Sequence, residues 1–238
     1  MASILLTRPI SRASALAARF ESAGHTVFHA PVTDIQTVAP PQVSIKTIDG
    51  LLFTSASAAA HMPEAAVAAL RGKPCFATGP ATADALSGLG FATIDHFDGD
   101  ITRLLSALKM KVKTYQRRWL YPCGTDLSHA PEEMMDQTGA EITPWPVYSA
   151  VDTGLWADDL VHSLRMQRFD WSLFLSVRTA DLFVRNIRSA HIWQDGAPGA
   201  AGAISTRVAE TIAPLGFSDI RIGQEKTTSS LVAAMGLT

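Results

Sequence analysis

The sequence predicts an α/β fold made of two similar domains with parallel sheets. Three observations carry that expectation. Short apolar runs alternate with helical stretches along the chain, the pattern of strand–helix–strand units with helices on both faces of a sheet. The order of these units then repeats at an offset of roughly 115 to 126 residues, far above the ~20–50 residues of a solenoid repeat. And 238 residues, 47% hydrophobic and 18% charged, are enough for one large α/β domain or two small ones.

The first unit is a strand at Ile4-Leu5-Leu6 that ends in Thr7-Arg8-Pro9. A helix follows, because Ala15, Leu16, Arg19 and Phe20 fall at near-helical spacing and Gly24 stands where a C′ glycine caps. Thr26 to Ala30 reads as a second strand, running through Pro31 towards Ile35 and Val38, and Pro40-Pro41 punctuates it. Gly50-Leu51-Leu52-Phe53 is a buried strand ending in Thr54-Ser55, and the helix after it, Ala56 to Leu70, is interrupted at Pro63. Phe76 to Phe91 then combines an apolar run, a Gly-Pro turn and a helix opening on small and hydroxyl residues. That arrangement points backbone N–H groups and the positive helix end at an anion. A strand at Ala92-Thr93-Ile94 and a helix carrying Ile101, Leu104, Leu105 and Leu108, capped by Asp100, complete the first half.

From Trp119 the pattern starts again. Trp119-Leu120-Tyr121-Pro122, a helix ending at Gly139 and Ala140-Glu141-Ile142 parallel Ile4 to Val27, with Pro146 matching Pro31. Val147-Tyr148-Ser149 continues like Val32 to Ile35. After a helix around Leu155 to Met166, Leu173-Phe174-Leu175-Ser176 echoes Leu52-Phe53-Thr54-Ser55. Ala203 to Phe217 echoes Ala77 to Phe91, and Thr227 to Met235 echoes the Ile101 helix. The order is A, B, A′, B′, and the pattern leaves open which A joins which B in space.

Composition narrows the function classes. A formal net charge of -2 gives no general basic field, which disfavours nucleic acid as a partner. The two cysteines, Cys75 and Cys123, suit a reducing compartment better than a disulfide framework. The N-terminal apolar run is too short for a secretory signal, and no window reaches the ~18 uninterrupted apolar residues of a membrane span, so a cytoplasmic protein without membrane association is expected. Neither the seven histidines nor the cysteines show metal-ligand spacing, and Gly79-Pro80 lacks the patterns of dinucleotide or triphosphate loops.

Taken together, Thr7-Arg8-Pro9, Leu52-Phe53-Thr54-Ser55-Ala56, Gly79-Pro80-Ala81-Thr82-Ala83, Val147-Tyr148, Phe174-Leu175-Ser176 and the Thr227–Met235 helix resemble the uroporphyrinogen-III synthase family, in its order and over the whole chain. The resemblance implies two flavodoxin-like α/β domains with parallel sheets, joined by a two-stranded β ladder. It implies a discontinuous domain of 1–35 plus 152–238, an inserted domain of 43–145, and linker strands at 36–42 and 146–151. The chain departs from the family where Ser176-Val177-Arg178 replaces Ser-Pro-Ser, and where Ser205-Thr206-Arg207-Val208-Ala209 replaces Gly-Pro-Thr-Thr-Ala. The threonine of Thr82 is therefore absent from the second copy, at Val208.

The implied reaction is cyclisation of hydroxymethylbilane, with inversion of its last pyrrole ring and loss of water. Its substrate is a linear tetrapyrrole with eight carboxylates, and no metal or organic cofactor is implied. Arg8, Arg178 and Arg207 are expected to bind carboxylates, Ser55, Thr82 and Ser176 to orient them, and Tyr148 to hydrogen-bond the departing hydroxyl. All but Arg8, which gains little from a surface strand end, have a plainer alternative. Thr82, Ser55 and Ser176 also suit helix starts, Tyr148 a packing position, and Arg178 and Arg207 a solvated helix face. A monomer is expected, in transient contact with the preceding pathway enzyme. Two rival readings share the pattern: a two-domain binding or sensor protein for an anionic small molecule, and an inactive family member kept for regulation.

Overall fold

Pro9 and Ala23 bracket the first helix of the computed structural model, which describes residues 1–97, 101–112, 117–127 and 129–237. The chain begins with β1 (Ser3–Leu6), α1 (Ile10–Ser22) and β2 (Thr26–His29), and Gly24 closes α1 at φ 84°. It continues through β3 (Thr33–Thr37), β4 (Gly50–Phe53), α2 (Ala56–Ala60) and α3 (Glu64–Leu70). Proline breaks this segment twice, at Pro31 between β2 and β3 and at Pro63 between α2 and α3, because a ring nitrogen donates no hydrogen bond.

Next come β5 (Cys75–Thr78), α4 (Pro80–Gly88), β6 (Ile94–Phe97), α5 (Ile101–Val112), β7 (Arg118–Gly124), α6 (Pro131–Thr138) and β8 (Glu141–Asp152). The β6 strand starts two residues later than its apolar run suggests. The cap proposed for α5, Asp100, lies outside the described residues. The last part is α7 (Asp158–Met166), β9 (Trp171–Phe174), α8 (Val177–Ser189), β10 (Ala200–Ala203), α9 (Thr206–Ile212), β11 (Ile220–Ile222) and α10 (Thr228–Ala234).

The chain divides into two compact units, Met1–Asp34 with Val151–Thr238, and Ile35–Ala150. In the first, five parallel strands lie in the order β11-β10-β9-β1-β2. Leu5, Phe174, Phe183, Val208 and Ile212 form the core on one face. Ile4, Leu6, Phe20, Leu173 and Leu231 form it on the other. Successive residues of β1 thus serve opposite faces, which is why a strand buried on both sides reads as an unbroken apolar run.

The second sheet has the order β3-β8-β7-β4-β5-β6, with β8 to β6 all parallel. Its faces are covered by one cluster around Leu51, Phe53, Leu70 and Leu86 and another around Leu52, Phe76, Leu104 and Trp119. Gly50 is needed at the start of β4, since a Cβ there would collide with the Trp119 ring. At the sheet edge β3 lies beside β8. Val38 N–H donates to the Val147 carbonyl at 3.0 Å and Thr153 N–H to the Val32 carbonyl at 3.2 Å, so these two strands run antiparallel.

Counted by chain order within its own unit, the first sheet reads 2-1-3-4-5. The second reads the same when β7 and β8 are counted first and β3 is set aside. Both are the flavodoxin-like order, and both open a crevice at the C-terminal ends of strands 1 and 3, where neighbouring connections diverge. Those positions are β1 and β9 in one unit, β7 and β4 in the other. No helix among the described residues is long and apolar enough to cross a membrane.

Candidate functional site

In the first unit the diverging strand ends are fastened by Thr7, which is buried and donates from Oγ1 to the Leu173 carbonyl at 2.7 Å. Arg8 follows directly, partly buried before the proline that starts α1. Burial, and then the nearby Arg12 guanidinium, pulls its pKa below the usual arginine value. Among the described residues the Arg8 guanidinium has no hydrogen-bond or ion-pair partner. A partly desolvated cation without a carboxylate is unfavourable until an anion meets it.

On the neighbouring strand, Ser176 is the N-cap of α8, accepting from Thr179 N–H at 3.1 Å and donating to Thr179 Oγ1 at 2.8 Å. Arg178 is exposed in the first turn of that helix and helps to lower the pKa of Asp152. The larger causes of that lowering are the Gly154 N–H, at 2.8 Å, and Arg185, at 2.6 Å. One strand further out, Ser205 caps α9 and Arg207 is exposed beside it. Val208 is a core residue. Parallel pairing of β1, β9 and β10 brings Arg8, Ser176, Arg178 and Arg207 to the C-terminal ends of three adjacent strands.

In the second unit the corresponding ends gather hydroxyls instead of cations. Ser55 follows β4 and caps α2, accepting from Ala58 N–H at 3.3 Å. Its Oγ is also 3.4 Å from the hydroxyl of Tyr148, which is 8% exposed on β8. Thr54 Oγ1 lies 3.0 Å from the Tyr121 hydroxyl, whose pKa burial raises. Thr82 sits in the first turn of α4 and is 4% exposed, so its hydroxyl offers a ligand little surface. The same turn offers backbone amides, because Gly79 at φ 71° provides no side-chain cap. Ser55 and Tyr148 are thus in contact, and Thr82 stands one strand away.

Three further residues belong to this second site. Gly124 ends β7, where the ladder to β8 slips: Cys123 pairs with Pro146 but Gly124 with Tyr148. The bulge re-aims Tyr148 towards the core face that Val147 also joins. His61 lies against the Tyr148 ring, and Thr37 is bonded to His61. Gly124 alone was within reach of pattern reasoning, as the strand-end counterpart of the Thr7-Arg8-Pro9 turn. His61 and Thr37 meet only in the folded chain.

No group of three or more His, Cys, Asp or Glu among the described residues is placed to hold a metal ion. The thiols of Cys75 and Cys123 are buried, and desolvation pushes their pKa up to about 12 and about 11, so both stay protonated at neutral pH.

The family model HEM4, described as uroporphyrinogen-III synthase HemD, matches residues 14–233. The structure is similar to the uroporphyrinogen-III synthetase of Helicobacter pylori 26695 at a TM-score of 0.62 and 14% identity, with 100% of each chain covered. A wild-type synthase from the extremely thermophilic bacterium Thermus thermophilus aligns at a TM-score of 0.39 and 15% identity, over 99% of this chain and 96% of that one. No curated protein matches the sequence significantly.

Proposed function

The chain belongs to the uroporphyrinogen-III synthase family, and on that premise we propose which of its residues carry the reaction. The activity is that of a cyclising lyase in tetrapyrrole biosynthesis: hydroxymethylbilane loses water and closes, with its last ring inverted, to uroporphyrinogen III. The match over residues 14–233 carries this conclusion and disfavours a binding or sensor role.

Loss of the hydroxyl leaves an electrophilic azafulvenium cation, which a carbon of the last pyrrole ring attacks, so that the chain rearranges through a spiro intermediate. Once the substrate is held folded, little further acid–base help is needed, and positioning dominates. In the proposed assignment Tyr148 donates a hydrogen bond to the departing hydroxyl, and Ser55 orients the phenol. The amides at the start of α4, with Thr82, receive a substrate carboxylate. In the other unit Arg8 binds a carboxylate at the strand end, joined by Arg178, Arg207 and the α8 start at Ser176. The unpartnered, partly buried state of Arg8 supports this assignment.

The discontinuous domain is taken as 1–35 plus 152–238, the inserted one as 43–145. The protein is further proposed to act as a monomer in the cytoplasm. A substrate that cyclises spontaneously favours transient contact with the enzyme that supplies it.

Incubation with freshly generated hydroxymethylbilane, followed by separation of the product isomers, tests the activity. The type III isomer is expected in excess. Formation of only the symmetric type I isomer, at the uncatalysed rate, would overturn it.

A further inference from the structure

Tyr148 is held on three sides, and only the Ser55 contact belongs to the assignment above. The first of the other two is Gly124. A Cβ there would lie 2.8 Å from Cε2 and 3.0 Å from Cζ of Tyr148, so the phenol ring rests directly on the backbone of β7. On another side is the imidazole of His61, with ring centroids 5.9 Å apart and planes inclined by 42°. That imidazole is itself fixed, since His61 Nδ1 is 2.7 Å from Thr37 Oγ1 at the end of β3. His61 caps the C-terminal end of α2, the short helix whose N-cap is Ser55. One five-residue helix therefore sets both the hydroxyl that meets the phenol and the ring that braces it.

The geometry points to His61, Thr37 and Gly124 as positioning residues for the Tyr148 hydroxyl, with His61 bracing the ring without touching substrate. This inference rests on the role proposed for Tyr148. A tyrosine hydroxyl stands at the far end of a side chain with two free torsions, so a small rotation carries it far from a leaving group. Misplacement by about 1 Å is enough to cost about a hundredfold in rate. Gly124 permits the approach, the β7–β8 slip aims the side chain, and His61 blocks rotation away from Ser55.

A double-mutant cycle on the full chain tests the assignment, with kcat and KM measured for formation of the type III isomer alongside thermal melting. His61→Ala is expected to lower kcat about tenfold and leave KM within about twofold. His61→Phe, which keeps a ring, is expected to recover most of the loss. In a Tyr148→Phe background, where there is no hydroxyl to position, His61→Ala is expected to change kcat no further. Gly124→Ala pushes on the ring from β7 and is expected to show the same non-additivity, which keeps the test decisive if His61→Ala fails to fold. An unchanged kcat in His61→Ala, or losses that add to those of Tyr148→Phe, would overturn the positioning role while leaving Tyr148 in place. A wild-type rate for Tyr148→Phe itself would overturn both.

Discussion

At the scale of single residues, Arg8 is the most informative side chain. Its charge is partly buried and met by another arginine, with no acid facing it among the described residues. Removing it relieves a desolvation cost in the free protein, while a bound carboxylate loses a hydrogen bond to a charged group, worth about 1.5–3 kcal/mol. Arg8→Ala is therefore expected to raise KM about tenfold or more, to change kcat little and to leave Tm level or slightly higher. Kinetics paired with melting curves check this, and a fall in Tm at constant KM would give Arg8 a structural role. Arg8 stands out as a candidate in the sequence because a cation between a strand and a proline has little to gain from the surface. His61 does not, because the ring it meets is 87 positions away in sequence (148 − 61). Thr82 and Val208 show the limit of reading repeats. The hydroxyl that distinguishes them is nearly sealed in the first copy, and in the second the position belongs to the core.

At the scale of elements, the β1–β9 pairing begins with a polar clasp. Asp170 Oδ2 accepts from Ser3 N–H at 2.7 Å and Ser3 Oγ at 2.9 Å, and the Asp170 N–H lies 3.0 Å from Ser3 Oγ. The Ser3 backbone bond first, and its hydroxyl next, hold the Asp170 carboxyl below the usual carboxylate range. A carboxylate with a lowered folded pKa stabilises above its unfolded value, about 3.9, and loses that stabilisation as pH falls through the folded value. Asp170→Asn is accordingly expected to melt below the wild type at pH 7, with the gap narrowing below about pH 4. A gap that stays constant across this range would remove the clasp from the stability of the strand pair. Most elements were legible from apolar runs and punctuation, including the Pro63 break and the Gly24 and Gly139 caps. Two were not singled out. β11 has three residues, too few to show an alternating pattern, and α8 stands where the first copy has two short helices.

For the whole molecule, the fold class followed from alternation and repetition, but the pairing of halves did not. Local pattern specifies that β1 is a strand buried on both faces, and it says nothing of which distant strand lies beside it. The partner is β9, and Ser3 and Asp170 of the clasp stand 167 positions apart. That separation imposes an order in time. During vectorial synthesis, β1 and β2 emerge first and must wait for β9, β10 and β11, since two strands without a full sheet are marginal in water. All six strands of the other sheet lie between residues 33 and 152 and are complete long before. A chain ended at Met166 is therefore expected to leave residues 35–150 resistant to limited proteolysis while residues 1–34 are cleaved; protection of both stretches would show that β1 docks without β9. The cluster read as gripping carboxylates is thus the last to be completed on the ribosome, and a nascent chain holds its Tyr148 seat well before it holds an arginine cluster.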